Sequence, residues 1–239
     1  MRASMCGARS VLLLASFALS SGGTALAQVQ TCTPPPPGMA AWWPGDGSAA
    51  DIVGTNEGTL VGGAAFAPGR VGQAFTLNGL DAWVQAPDST SLDVTGQITI
   101  DAWISPTALG GRVVDKITAG TGDGYLLDTY GGVVRLIVDG QGLSGSTTIP
   151  TGSWSHVAGT YDGTQMRVYL NGNLDGTLAT AVAIPTNALP VRIGADSDGA
   201  SRFSGQIDEV EVFRRALSQA EIQAIVAAGS AGKCKSADA

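Results

Sequence analysis

The sequence has few of the residues on which nucleic-acid-binding proteins and many enzymes depend. Of its 239 residues one is a histidine, 14% are charged and 6% are aromatic. The net charge is −7, so no surplus of lysine and arginine exists to displace counterions from nucleic acid. A nucleophilic triad would depend on His156, and no G-x-S-x-G motif accompanies it. We therefore expect no nucleic-acid partner and a packed, hydrogen-bonded His156.

Long apolar runs are absent except near the N-terminus. Residues 11–19 are apolar, follow Arg2 and Arg9, and are too few to span a bilayer. Ala25 and Ala27 have the A-x-A spacing that signal peptidase accepts. Residues 1–27 are therefore predicted to be a signal peptide cleaved after Ala27, with export to the periplasm or beyond the cell. The mature chain is predicted to have no membrane span and 11 basic against 20 acidic residues.

Cysteine is scarce, with three in the whole sequence. Cys6 lies in the predicted signal peptide, so the mature chain keeps Cys32 and Cys234. An even pair in an oxidising compartment predicts a disulfide. A metal site of the zinc type would need more histidine or cysteine ligands than the sequence holds. Closing so long a loop stabilises by about 5 kcal/mol on the chain-entropy model, and usually by less in practice.

Glycine, in contrast, is plentiful at 34 residues, and it separates short stretches of alternating polarity. In residues 97–104, Ile98, Ile100 and Ile104 alternate with polar neighbours, which predicts a strand with one buried face. Asn171-Gly172 predicts a hairpin turn because both residues tolerate positive φ. Further strands are predicted at residues 124–128, 133–138, 154–160, 166–170 and 205–213.

One helix is indicated near the C-terminus. Ser218 and Glu221 form a capping-box pattern, and Gly229 is placed to end the helix. Many short strands with one terminal helix predict an all-β protein, a two-sheet antiparallel sandwich. The organisation expected is a proline-rich lead-in at 28–38, one β-sandwich domain at 39–229, and a C-terminal tail at 230–239 that carries Cys234.

Six segments in order resemble the LamG-like jelly-roll domain of the concanavalin A-like lectin/glucanase superfamily. They are WWPGDGSAADIVGTNEGTL (42–60), VGQAFTLNG (71–79), ITIDAWISP (98–106), WSHVAGTYDG (154–163), MRVYLNGNLDG (166–176) and GQIDEVEVFRRALSQAEI (205–222). The resemblance implies a concanavalin A-like sandwich with jelly-roll connections, in which the first and last strands are neighbours.

The resemblance also implies a structural calcium ion as cofactor. Asp46 and Asp208 match the positions at which relatives hold calcium between a glycine-rich loop and the last strand. Asp51 and Asn56 match less closely, because residues 52–54 replace the usual serine-rich run. Carboxylates and loop carbonyls are oxygen ligands of the kind that calcium takes. In the alternative, Asp46 and Asp51 form Asx-turns and Asp208 accepts bonds from nearby backbone amides.

Residues 206–211 resemble the E-I-D-x-x-E signature of the glucanase branch, but the position of the nucleophile is Gln206. An amide cannot form the glycosyl-enzyme ester that a retaining glycosidase requires. In an unbulged strand Gln206 and Glu211 would also point to opposite faces of the sheet. The sequence therefore predicts a domain without glycosidase activity.

Aromatic residues decide whether a sugar could stack on the surface. Trp83, Tyr125 and Tyr130 lie near predicted turns and are the candidate ligand-binding residues. The remaining tryptophans lie in predicted strand segments and are expected in the core: Trp42, Trp43, Trp103 and Trp154. We predict a non-catalytic secreted recognition module that binds carbohydrate or a glycoprotein. The alternative is a structural or adhesive module that binds extracellular proteins without a sugar site.

Overall fold

The computed structural model describes residues 32–235, so the predicted signal peptide at 1–27 lies outside the described residues. The described chain forms fifteen strands and one α-helix, α1 (Gln219–Ala228). The strands are β1 (Met39–Trp43), β2 (Thr59–Val61), β3 (Ala65–Pro68), β4 (Gln73–Asn78), β5 (Trp83–Ala86), β6 (Ile98–Ala108), β7 (Arg112–Lys116), β8 (Tyr125–Asp128), β9 (Arg135–Val138), β10 (Gln141–Ser144), β11 (Ser155–Tyr161), β12 (Gln165–Leu170), β13 (Asn173–Ala179), β14 (Val191–Ile193) and β15 (Ser204–Phe213). Within residues 32–235, no helix has the length and hydropathy needed to cross a membrane.

The strands form two antiparallel sheets, as the sequence predicted. One sheet has eight strands in the order β13-β12-β11-β6-β15-β4-β3, with β1 also paired to β15. The other has seven strands in the order β10-β9-β8-β7-β14-β5-β2. Apolar side chains from both sheets form one core cluster between them. We call the face of each sheet that is turned away from this core its outer face.

The alternation in β6 explains how the sequence forms this core. Ile98, Ile100 and Ile104 are fully buried in the cluster between the sheets, whereas Asp101 and Trp103 lie on the outer face. The strand is longer than predicted and continues to Ala108. A period of two therefore assigned the faces correctly but did not mark where the strand ends.

The predicted turn and helix are both present. Asn171 and Gly172 have φ values of 51° and 77° and connect β12 to β13. Ser218 and Glu221 form the complete capping box. Ile222 and Ile225 of α1 pack in a second apolar cluster on the outer face of the eight-stranded sheet. That face is therefore partly closed to solvent.

The two ends of the domain meet. β1 pairs with β15, with Met39 opposite Phe213, so the first and last strands are neighbours. The predicted disulfide is confirmed: Cys32 and Cys234 are bonded, with Cα atoms 4.9 Å apart. The Cys234 amide also donates to the Thr33 carbonyl at 2.8 Å. The segment after α1 is consequently held against the sheet.

A β-bulge in β15 changes the faces that its side chains occupy. Asp208 pairs with Trp103 and Glu211 with Asp101, so β15 has one more residue than β6 between these pairs. Glu209 takes a φ of 53° at this point. Opposite faces for Gln206 and Glu211 were expected only for an unbulged strand; β15 is bulged, and both side chains lie on the outer face.

Candidate functional site

The outer face of the eight-stranded sheet holds a partly buried group of charges, in which Glu209, Glu211 and Lys233 are buried. We call it the lysine–carboxylate cluster; its members are Asp46, Glu209, Glu211, Lys233 and Lys235. Lys233 Nζ forms ion pairs with Glu211 and, at 3.4 Å, with Glu209. Lys235 Nζ lies 2.6 Å from Glu209 Oε1 and 2.5 Å from Asp46 Oδ2. The Trp42 indole donates to Glu209 at 3.1 Å and lies beside both ammonium groups.

The charge state of Lys233 follows from these neighbours. Burial by itself would lower the pKa of Lys233, since it disfavours the ammonium form. The carboxylates of Glu211 and Glu209 outweigh this effect and raise the pKa above its ordinary value. Lys233 is therefore a permanent buried cation at neutral pH.

The two key residues of the glucanase-like motif lie on the same outer face, and both are engaged in contacts within the fold. Glu211 is fully buried and paired with Lys233. Gln206 Nε2 donates to the Pro68 carbonyl at 2.9 Å. The residue at the acid position thus has no contact with solvent, and the residue at the nucleophile position is an amide.

His156 is packed and hydrogen-bonded, as expected. Its Nε2 lies 3.0 Å from Asp101 Oδ2, and both side chains are buried. Its ring meets Trp103 edge-on, with centroids 5.2 Å apart. These contacts describe a structural pair on the outer face.

The four residues predicted for calcium divide into two pairs. Asp51 and Asn56 are both buried and bonded to each other, with Asn56 Nδ2 donating to Asp51 Oδ2 at 2.7 Å. Asp51 Oδ1 also accepts from the amides of Trp42 and Gly54 at 2.9 and 3.1 Å. Both carboxylate oxygens of Asp51 are thus engaged within the loop, as in the Asx-turn alternative.

Asp46 and Asp208 hold the same turn between β3 and β4. Asp46 Oδ1 accepts from the Gln73 amide at 2.7 Å, and Asp208 Oδ2 accepts from the Val71 amide at 2.8 Å. Asp208 Oδ1 is buried and accepts no hydrogen bond from residues 32–235. Burial raises the pKa of Asp208 to about 8, against the Val71 hydrogen bond. Within residues 32–235, no three His, Cys, Asp or Glu side chains are placed to bind one metal ion together.

The calcium prediction therefore has a weak fit to the described residues. The carboxylate oxygens of Asp51 and the amide oxygen of Asn56 already accept hydrogen bonds from within the fold, and the Lys235 ammonium lies against Asp46. Calcium requires six to eight oxygens, which these four residues do not supply while Lys235 lies against Asp46. Calcium binding remains a prediction that only a direct measurement tests.

The three candidate aromatic residues differ in exposure. Tyr125 is 2% exposed, belongs to the core, and donates its hydroxyl to the Leu92 carbonyl at 3.0 Å. Its assignment as a ligand-binding residue is wrong, because alternation along β8 turns it inward. Tyr130 is 61% exposed, and Trp83 is half-buried.

Trp83 and Tyr130 belong to one surface on the seven-stranded sheet. The Arg192 guanidinium lies 5.4 Å from the centre of the Trp83 ring, and that of Arg135 lies 4.2 Å from the centre of Tyr130. Val84, Val191 and Ile193 point into the core, so Trp83 and Arg192 point to the outer face. We call this surface the arginine–aromatic row; it consists of Trp83, Arg192, Arg112, Asp128, Arg135 and Tyr130.

Asp128 organises the centre of the row. Arg112, Asp128 and Arg135 are direct partners in register across β7, β8 and β9. The buried Asp128 carboxylate pairs with Arg112 and with Arg135, whose Nε lies at 3.0 Å. Arg112 and Arg135 keep 15% and 19% of their side chains exposed. The carboxylate therefore fixes two guanidinium groups whose edges reach the surface.

An open groove of about 440 Å³ lies on the other sheet, beside Gln206. Thr76, Ser105 and Thr107 supply its polar groups. None of the described residues that line it is aromatic or charged. It therefore lacks both the stacking surface and the ionic groups that the row provides.

Sequence reasoning missed the arginines of the row. Arg192 stands between Val191 and Ile193, and this short alternation could have placed it on a polar face. The pairing of Arg112 and Arg135 with Asp128 depends on the registers of three strands. No pattern along the chain indicates those registers.

Replacing Asp115 by asparagine is expected to stabilise the domain above neutral pH and to have little effect near pH 4. Burial raises the pKa of Asp115 from 3.8 to about 7, and Arg112 opposes this only in part. Between these values the native state holds a proton that the unfolded chain has released, so stability falls as pH rises. Each unit of difference corresponds to about 1.4 kcal/mol, an upper bound on the effect.

Urea unfolding of parent and Asp115→Asn at several pH values between about 4 and 8 measures this difference. The gap between the two free energies of unfolding should widen with pH and level off near pH 7. A constant gap across the range would contradict the predicted titration.

Comparison with known proteins agrees with this architecture. The laminin G family model described as the concanavalin A-like lectin/glucanases superfamily matches residues 78–223, more than half of the chain. No curated protein matches the sequence.

Three solved structures share the fold at identities that show the fold alone. Domain 4 of AbnA, a GH43 extracellular arabinanase from Geobacillus stearothermophilus, in complex with arabinotriose, is 22% identical with a TM-score of 0.62, over 78% of this chain and 97% of that one. The binding domain of Paraclostridial Mosquitocidal Protein 1 is 16% identical with a TM-score of 0.65, over 79% of this chain and 52% of that one.

The binding domain of Botulinum Neurotoxin DC in complex with SialylT is 12% identical, with a TM-score of 0.56, over 72% of this chain and 46% of that one. This chain thus spans about half the length of the two toxin binding domains. With the sandwich, its strand order and the family match in agreement, the chain belongs to the concanavalin A-like lectin/glucanases superfamily.

Proposed function

We propose that this protein is a secreted, non-catalytic recognition domain that binds carbohydrate along the arginine–aromatic row. The observation that carries the proposal is a pair of aromatic rings, half-buried Trp83 and exposed Tyr130, each beside a guanidinium group on the same sheet. The disulfide between Cys32 and Cys234 supports export, because such bonds persist in oxidising compartments.

The chemistry of the row suits a sugar. Aromatic faces present an apolar surface on which the C–H faces of a sugar ring can stack. Guanidinium groups donate several hydrogen bonds in a fixed plane, as hydroxyl and carboxylate oxygens require. Asp128 holds Arg112 and Arg135 in place before any ligand arrives, which lowers the entropy lost on binding.

The dimensions of the row favour a chain of sugars over a single one. Trp83 lies on β5 and Arg135 on β9, which are four strand positions apart in the sheet. At the usual spacing between strands, this separation is about 19 Å. The known complexes of AbnA domain 4 with arabinotriose and of the neurotoxin domain with SialylT support the same class of ligand.

Glycoside hydrolysis is not part of the proposal. Retaining enzymes need a carboxylate nucleophile and a second carboxyl group able to protonate the leaving oxygen. Here the first position is Gln206, and Glu211 is fully buried against Lys233. Hydrolysis of a β-glucan by the purified domain would overturn this part of the proposal.

A glycan array with the mature chain tests the proposal. The parent is expected to bind a defined set of glycans saturably, and Trp83→Ala and Tyr130→Ala to weaken that binding at least tenfold. Trp154→Ala is the matched control, because Trp154 is also half-buried but precedes β11 of the other sheet. Binding that survives both substitutions in the row would exclude the row as the site. Absence of binding to any glycan would favour the adhesive, protein-binding alternative.

A further inference from the structure

The sequence contains three lysines, and each ammonium group lies among oxygen atoms of the fold. Lys116 shows this most fully, with its side chain 1% exposed. Its Nζ lies 2.7 Å from Asp88 Oδ1 and 3.3 Å from Asp93 Oδ1. The carbonyls of Asn187 and Leu189, at 2.8 and 3.0 Å, and Asn187 Oδ1, at 3.2 Å, also lie within hydrogen-bond distance of this ammonium group.

These five oxygens have the composition of a calcium shell. Calcium in proteins takes carboxylates, main-chain carbonyls and amide carbonyls, and all three kinds surround Lys116. The distances, however, are those of N–H···O hydrogen bonds, whereas calcium lies 2.3–2.6 Å from its ligands. We call these five oxygens the cage. The cation that it holds is the ammonium group of Lys116, which is covalently part of the chain.

The position of this cage explains what the cation does. Lys116 ends β7, while Asp88 and Asp93 lie in the connection from β5 to β6 and Asn187 in the connection from β13 to β14. Asn187 Nδ2 also donates back to the Lys116 carbonyl at 3.2 Å. One ammonium group thus ties two loops to a strand end, which is the task that a structural metal ion performs in other loops.

Lys235 repeats the arrangement at the place where the family resemblance implies calcium. Its Nζ lies against Asp46 and Glu209, and its charge also acts on Asp208. The disulfide at Cys234 fixes the neighbouring backbone, and this holds Lys235 close to the acidic loop. The second cation position is therefore also filled from within the chain.

We propose that Lys116 and Lys235 occupy the cation positions of this domain, so that its loops are held without metal. It follows that the cage around Lys116 accepts calcium only when the lysine side chain is removed. The domain differs in this respect from the calcium-bound form that the resemblance implies.

Thermal unfolding of the full mature chain in calcium chloride and in EDTA tests the first half of the proposal. The parent should unfold at the same temperature in both solutions. A melting temperature that rises with calcium concentration would overturn the proposal, since it would show a metal site that the lysines do not fill.

Two substitutions at one position test the second half. Lys116→Ala opens the cage and should lose several degrees in melting temperature, which calcium then restores progressively as the logarithm of its concentration rises above the Kd. Lys116→Met is the matched control, because its apolar side chain fills the cage; it should be equally destabilised and not restored. Failure of calcium to restore Lys116→Ala, or equal restoration of both variants, would overturn the assignment of the cage.

Lys235→Ala keeps the test decisive if the Lys116 variants do not fold. Its side chain is 23% exposed, so its removal is expected to be tolerated. Calorimetric titration should show calcium binding to Lys235→Ala and none to the parent. Equal heats for both proteins would contradict the proposal at this second position.

Discussion

Lys233→Met is expected to destabilise the domain by about 3–5 kcal/mol at neutral pH, the usual cost of removing one partner from a buried ion pair. Lys233 is 3% exposed and neutralises Glu209 and Glu211, which are 1% and 0% exposed. The methionine side chain occupies similar space, so the loss reports the charge and not a cavity. Urea or guanidinium unfolding of the disulfide-bonded protein measures it.

The double variant Lys233→Met with Glu211→Gln is the control for this prediction. Removing both charges leaves no unpaired carboxylate at Glu211, so the double variant should recover a large part of the loss. Lys235→Met should cost less than Lys233→Met, because Lys235 keeps 23% of its side chain in solvent. A Lys233→Met protein as stable as the parent would show that the cluster is not held by this cation.

Removing the disulfide is expected to have the second large effect, about 2–5 kcal/mol for Cys32→Ser combined with Cys234→Ser. The bond joins residues 202 positions apart in sequence, so its absence releases conformational freedom in the unfolded chain. It also frees the segment that carries Lys233 and Lys235, which weakens the ion pairs of the cluster.

Chemical unfolding with and without a reducing agent separates the disulfide from other effects. The parent should lose stability on reduction, while the double serine variant should not respond. Limited proteolysis gives a local reading, since cleavage near residues 232–235 should appear only when the bond is absent. Equal stability of the parent in both conditions would contradict the prediction.

The sequence predicted those parts of the fold that depend on neighbouring residues. The alternation at Ile98, Ile100 and Ile104 located β6 and its buried face, and the capping residues Ser218 and Glu221 located α1. Counting cysteines identified the pair Cys32 and Cys234. The first two signals depend only on residues close together in sequence, and the count of cysteines requires no knowledge of the structure.

The errors came from features that neighbouring residues do not reveal. Tyr125 stands near a glycine turn, but its place in β8 directs it into the core. The bulge at Glu209 moved Gln206 and Glu211 to one face, since one extra residue reverses the alternation beyond it. The packing of Lys233 against Glu211 is a further contact that no local pattern indicates.

The sequence by itself determined the fold class, the buried face of β6, the disulfide and the absence of a carboxylate nucleophile at Gln206. The tertiary structure decided which charges meet. Arg112, Asp128 and Arg135 come from three strands, and Lys116 meets oxygens from two loops more than twenty residues away in sequence. Strand register and loop packing determine these contacts. Both depend on how apolar side chains from distant parts of the chain are buried together between the two sheets.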